Sequence, residues 1–111
     1  MINQRDLILV PFPFSDQSGR KVRPVVVISN DKFNDGSEDL LVVGVTSNIS
    51  KGQYTLELGS ADLEEGSLFT KCCVKVENIL KLDKDLVIKK IGKINKNKLK
   101  KIIDIFMKIV K

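Results

Sequence analysis

The feature that most limits the fold of this chain is a change of hydrophobic period near residue 95. Upstream, apolar residues come in short runs separated by turn signals. Downstream, Leu99, Ile102, Ile103, Phe106, Ile109 and Val110 recur at spacings of 3, 4 and 7, which is one helical stripe. Asn95 supplies an N-cap for a helix over about 96–110. A set of short strands followed by one amphipathic helix predicts a mainly β (α+β) fold. The expected form is a small SH3-like antiparallel barrel capped by a C-terminal α-helix.

The strands are read run by run. Asp6 to Val10 is apolar and ends at Pro11-Phe12-Pro13-Phe14, because proline cannot donate to a ladder. Ser15 to Lys21 is a polar loop around Gly19, of hairpin type. Val22 to Ser29 is β-branched and forms the second strand, with Pro24 at an edge or bulge. Asn30 to Asp39 is read as an acidic loop, and Leu40 to Val45 as a third strand. Tyr54 to Leu58 alternates, and Gly59 to Ser67 is a connector. A long strand lies within Leu68 to Leu80, and a short one within Leu86 to Ile94.

Composition removes several functions. With 111 residues and 42% apolar side chains, the chain suits one domain with one core. It contains no histidine, which excludes a Ser-His-Asp triad and imidazole metal sites. Its only cysteines, Cys72 and Cys73, are adjacent and offer neither a disulfide framework nor zinc spacing. A reduced, cytoplasmic protein is expected. No apolar run reaches the roughly 18–20 residues of a membrane span, and the N-terminus lacks a signal-peptide layout. Asp31, Asp35, Gly36 and Glu38 hint at a calcium loop. Phe33 and Val42 occupy ligand positions, so that reading fails.

The net charge of +5 is unevenly placed. Residues 1–70 hold six basic and ten acidic side chains, and residues 71–111 hold thirteen and four. Most of the lysine excess belongs to the solvated side of the terminal helix, so net charge alone is weak evidence for a nucleic-acid partner.

Three ordered blocks carry a resemblance. The first is Asp6 to Ser29: a strand, a polar glycine loop, then Val22-Arg23-Pro24 opening an apolar strand that ends in serine. The second is Val42-Val43-Gly44-Val45-Thr46-Ser47. The third is Lys75-Val76-Glu77 followed by Leu82-Asp83, with Ile91-Gly92-Lys93-Ile94 before the helix. Together they resemble the MazF/PemK/Kid toxins over nearly the whole chain. There are two departures. Arg5-Asp6 stands where the family carries Gly-Asp, and the basic-x-acidic triplet is Lys and Glu rather than Arg and Asp.

The resemblance implies a single-domain, homodimeric, sequence-selective endoribonuclease toxin. Such a toxin cleaves single-stranded RNA without metal or cofactor. A cognate antitoxin protein neutralises it, and the pair binds DNA as a complex. The 2′-OH of the substrate attacks the adjacent phosphorus, leaving a 2′,3′-cyclic phosphate and a 5′-OH. Without histidine, charge stabilisation falls to guanidinium, whose planar donors match phosphate oxygens. On this reading Arg23 and Thr46 are catalytic, and Glu77 and Lys75 are a general base or RNA contacts. Ser18, Gly19, Arg20, Lys21 and Ser47 hold RNA.

Each position also has a structural explanation. Arg23 could be a strand arginine in an ion pair, Thr46 a strand cap, Lys75 and Glu77 a solvent-facing pair, and residues 18–21 a hairpin tip. Tyr54 fits strand packing, and Phe12 and Phe14 fit the seal of a barrel or a dimer contact. Two other functions stay open. One is a CcdB-like gyrase poison, which the absence of a C-terminal Trp-Gly-Ile disfavours. The other is a non-catalytic RNA-binding module.

Overall fold

The computed structural model describes residues 1–12, 21–49 and 52–111. The chain runs β1 (Asp6–Phe12), β2 (Lys21–Val27), α1 (Asp31–Gly36), β3 (Asp39–Thr46), β4 (Thr55–Leu58), β5 (Leu63–Gly66), β6 (Cys72–Asp83), β7 (Lys89–Ile94) and α2 (Lys96–Val110). The strands form one antiparallel sheet in the order β4-β6-β3-β2-β1-β7-β5. The result is a curled half-barrel with a C-terminal helix, as the sequence predicts.

The runs in β1, β2 and β3 are apolar without alternation because the sheet is covered on both faces. Leu7, Val26 and Val43 point into one cluster together with Ile102 of α2. Their strand neighbours Ile8, Val25, Val27 and Val42 point into a second cluster on the opposite face, with Val10, Leu40 and Leu82. Successive strand residues face opposite ways, so a run apolar at every position fills two cores at once.

Pro11 and Pro24 sit where a missing N–H is tolerated. Pro24 pairs with Leu9 just before β2 gains its second neighbour at Val25. β1 continues through Pro11, one turn signal further than the sequence suggests. Its partner β7 registers only with Asp6–Leu9, so Pro11 lies beyond the doubly paired stretch.

Two connectors hold more structure than expected. Asn30 to Asp39 contains the helix α1, capped by Asn30, whose side chain accepts from Phe33 N at 2.8 Å. The buried Asn34 amide locks this helix to the Ser29 carbonyl at 2.9 Å. Gly59 to Ser67 contains a 3₁₀ turn at Ser60–Asp62 and the strand β5. Gly66 makes that strand possible: its φ is +78°, and a Cβ there would lie 2.2 Å from Ile91 O.

The departure at Arg5 also has a physical consequence. Asp6 N donates to Asn3 O at 3.1 Å, closing a turn in which Arg5 has φ +80°. That backbone favours glycine. Arg5 compensates through its guanidinium, which donates to both Glu64 oxygens at 2.6 and 2.8 Å and to Ile94 O at 3.0 Å.

Helix α2 begins as predicted, with Asn95 accepting from Lys98 N at 2.7 Å. Its stripe is only partly used. Ile102 is fully buried and Leu99, Ile105 and Phe106 pack against the sheet, whereas Ile103, Met107, Ile109 and Val110 are exposed.

Candidate active site

The site is a row of residues running across three adjacent strands. Val25 of β2 pairs with Gly44 of β3, and Gly44 pairs with Lys75 of β6. Arg23 and Thr46 lie two residues beyond this row on their own strands, and so on the same face. Glycine at the centre of the row leaves the face open. The opening is a cleft of about 180 Å³ lined by Arg23, Pro24, Gly44, Thr46, Lys75 and Asn78. It lies on the side that carries Val25 and Val42, away from α2.

Arg23, Thr46 and Lys75 are half-buried. Two cations line the cleft, and no carboxylate does so among the described residues. A site of this kind attracts a phosphodiester. The Thr46 hydroxyl accepts from Asn48 N at 3.1 Å, which fixes the turn at the end of β3. This capping bond uses the oxygen and leaves the hydroxyl proton available to a ligand. Cap and ligand contact are therefore compatible at one residue.

The structure separates other residues from this group. Alternation along β6 predicts that Glu77 shares the face of Lys75. The register breaks there: Gly44 pairs with Lys75, but Val43 pairs with Ile79. Residues 76–78 form a bulge, and Glu77 is exposed outside the cleft lining. Asn78 takes the place beside Gly44 instead. A Cβ at Gly44 would sit 3.4 Å from Asn78 Cβ and 3.6 Å from its Nδ2.

Ser47 is exposed just past β3, and Lys21 is exposed at the start of β2. Neither lines the cleft. Ser18, Gly19 and Arg20 lie outside the described residues, as do Pro13 and Phe14. Tyr54 is half-buried at the start of β4, and its carbonyl accepts from Val76 N at 3.1 Å.

Sequence reasoning missed Asn78 and gave Gly44 no role. The lone glycine inside an apolar run was a readable signal for a bulge or a close approach. Nothing in the hydrophobic period marks Asn78. Cys72 and Cys73 are both buried, and burial pushes the Cys72 thiol up, away from reactive thiolate character.

Residues 3–110 match the family described as PemK-like, MazF-like toxin of type II toxin–antitoxin system. The chain belongs to this family. Solved structures of such toxins share its fold. A mycobacterial endoribonuclease in complex with its cognate antitoxin superposes with a TM-score of 0.79 at 17% identity, covering 99% of this chain and 95% of that one. The MazE–MazF structure from Deinococcus radiodurans gives 0.77 at 16% identity, with 98% and 95% covered. The Mycobacterium tuberculosis toxin MazF-mt6 gives 0.76 at 13% identity, with 94% of each chain covered. At these identities the likeness establishes the MazF-like fold, and the chemistry must be argued from the cleft.

Proposed function

We propose that this MazF-like toxin is a metal-independent endoribonuclease that cleaves single-stranded RNA at selected sequences. The observation that carries the reading is the convergence of Arg23, Thr46 and Lys75, from three strands, on one cleft free of carboxylates among the described residues. In the reaction the substrate 2′-oxygen bonds to phosphorus and the bond from phosphorus to the 5′-oxygen breaks. Negative charge accumulates on the non-bridging oxygens. Arg23 holds that charge with two donors, Lys75 with one, and Thr46 donates its hydroxyl proton as a hydrogen bond. The 2′-proton passes to Glu77 reaching in from the bulge or to water, and the 5′-oxygen takes up a proton from Arg23 or from solvent. A Glu77→Gln variant separates the two bases: an unchanged rate assigns the step to water.

The partners follow from the same family. The exposed Ile103 and Met107 border an apolar groove of about 300 Å³ between α2 and the sheet. Such a surface supports a protein partner, either a second copy of the chain or the cognate antitoxin. DNA binding by the toxin–antitoxin complex and a cytoplasmic location belong to the same proposal. Among the described residues no helix is long and apolar enough to cross a membrane.

The test is cleavage of a defined single-stranded RNA in EDTA, with end-group analysis. The expected products carry a 2′,3′-cyclic phosphate and a 5′-OH. Loss of cleavage in EDTA, or a 3′-OH product, contradicts the mechanism.

A further inference from the structure

One polar side chain at the mouth of the cleft takes no part in holding the fold. Asn78 is exposed, and its amide makes no hydrogen bond to another described residue. It nevertheless has a defined place. The bulge at residues 76–78 interrupts the pairing of β6 with β3, which holds on either side of it at Cys73–Lys75 and Ile79–Asp83, so ladder hydrogen bonds are given up to present this residue. A bulge of this kind re-aims a side chain. Gly44 opposite supplies the space, since a Cβ there would already be in contact with the Asn78 side chain.

The chemistry of the cleft divides the work. Arg23 and Lys75 are charged donors suited to phosphate, and the Thr46 oxygen is occupied by Asn48 N. Phosphate contacts position a nucleic acid but carry no sequence information, which must come from contacts to base edges. Among the described residues lining the cleft, Asn78 is the one neutral side chain that offers a donor and an acceptor in a single plane. An unstacked base in single-stranded RNA presents a matching donor beside an acceptor on its Watson–Crick edge.

We infer that Asn78 is a specificity-determining residue that reads the base next to the phosphate held by Arg23 and Lys75. The inference rests on the reading of the cleft as an RNA-cleaving site. A planar amide paired with a base edge discriminates roughly 5- to 150-fold between bases. Replacing the amide by a carboxylate leaves only acceptors. Among the four bases, guanine alone has two adjacent Watson–Crick donors, at N1 and N2, to match them.

The experiment is digestion of a randomised single-stranded RNA pool by the wild type, Asn78→Ala, Asn78→Asp and Arg23→Ala, with sequencing of the cut ends. Thermal melts check folding, and the exposed position predicts unchanged melts for both Asn78 variants. Asn78→Ala is expected to flatten the base preference at one position beside the cut by at least about fivefold, and Asn78→Asp to move that position toward guanine. Unchanged preferences in both variants, or uniform slowing of all sequences, overturn the role of Asn78 while leaving the RNA-cleavage reading intact. A wild type that cuts no RNA overturns both.

Discussion

Gly44 links the fold to the cleft, and replacing it separates the two. A Cβ at this position meets Asn78 at 3.4 Å (Cβ), 3.6 Å (Nδ2) and 4.0 Å (O), all ordinary van der Waals contacts. Gly44 does not have a positive φ, so alanine fits the backbone without strain. Gly44→Ala removes chain entropy from the unfolded state and is expected to stabilise the protein by about 0.5–1 kcal/mol. For a domain of this length that raises the melting temperature by about 2–4 °C. The same methyl takes about one water's volume, ~30 Å³, from a cleft of about 180 Å³. Cleavage should slow but persist. Gly44→Leu adds three further carbons to the same opening and should abolish cleavage while the exposed Asn78 side chain yields and the melt changes little. The assays are thermal melts followed by circular dichroism, and single-turnover cleavage of a fluorogenic RNA. The reasoning is refuted if Gly44→Ala lowers the melting temperature by about 8 °C or more, or if Gly44→Leu cuts at the wild-type rate.

The other predictions concern the frame around the site. Gly66→Ala, with φ +78° and a Cβ 2.2 Å from Ile91 O, should cost at least about 2 kcal/mol, and a melt within 1 °C of wild type would contradict the close approach. Asn95→Ala removes the acceptor for Lys98 N and should cost about 1 kcal/mol, read as a fall of about 4 °C in the melt; no fall would show that α2 starts without this cap. The Arg5 guanidinium holds the Glu64 carboxyl below its ordinary value of 4.5. A depressed carboxylate contributes stability above its unfolded pKa and loses it as pH falls through the folded value. The melting difference between wild type and Glu64→Gln should therefore shrink below about pH 4.5, and a difference that grows on acidification would contradict the assignment.

Much of the frame was legible because it depends on hydrophobic period. The apolar runs identified β1, β2 and β3, and the stripe from Leu99 with Asn95 before it identified α2 and its cap. The connectors were less legible for specific reasons. α1 is a six-residue helix too short to show a period, and it is stabilised by Asn30 and the buried Asn34 rather than by an apolar stripe. β5 has only Leu63 as an apolar residue and depends on its pairing with β7. The turn at Arg5 shows the limit of reading by substitution. An arginine in place of glycine keeps the turn, but at φ +80°, with the guanidinium anchored on Glu64 and Ile94.

The candidate site was legible where residues sit on regular strands. Arg23, Thr46 and Lys75 share a face because the registers of β2, β3 and β6 are regular up to Gly44. Glu77 misses the cleft and Asn78 lines it because the bulge begins one residue after Lys75. Strand alternation cannot foresee such a slip, since a shift in register moves every following side chain.

The account depends most on Arg23, so the most direct measurement is single-turnover RNA cleavage in EDTA by Arg23→Ala beside the wild type, with melts of both. Removing a preorganised charge donor should lower the rate by roughly 10²–10³-fold or more, with a melting temperature within about 4 °C of wild type. A variant that folds and cuts at the wild-type rate would contradict the role of the cleft.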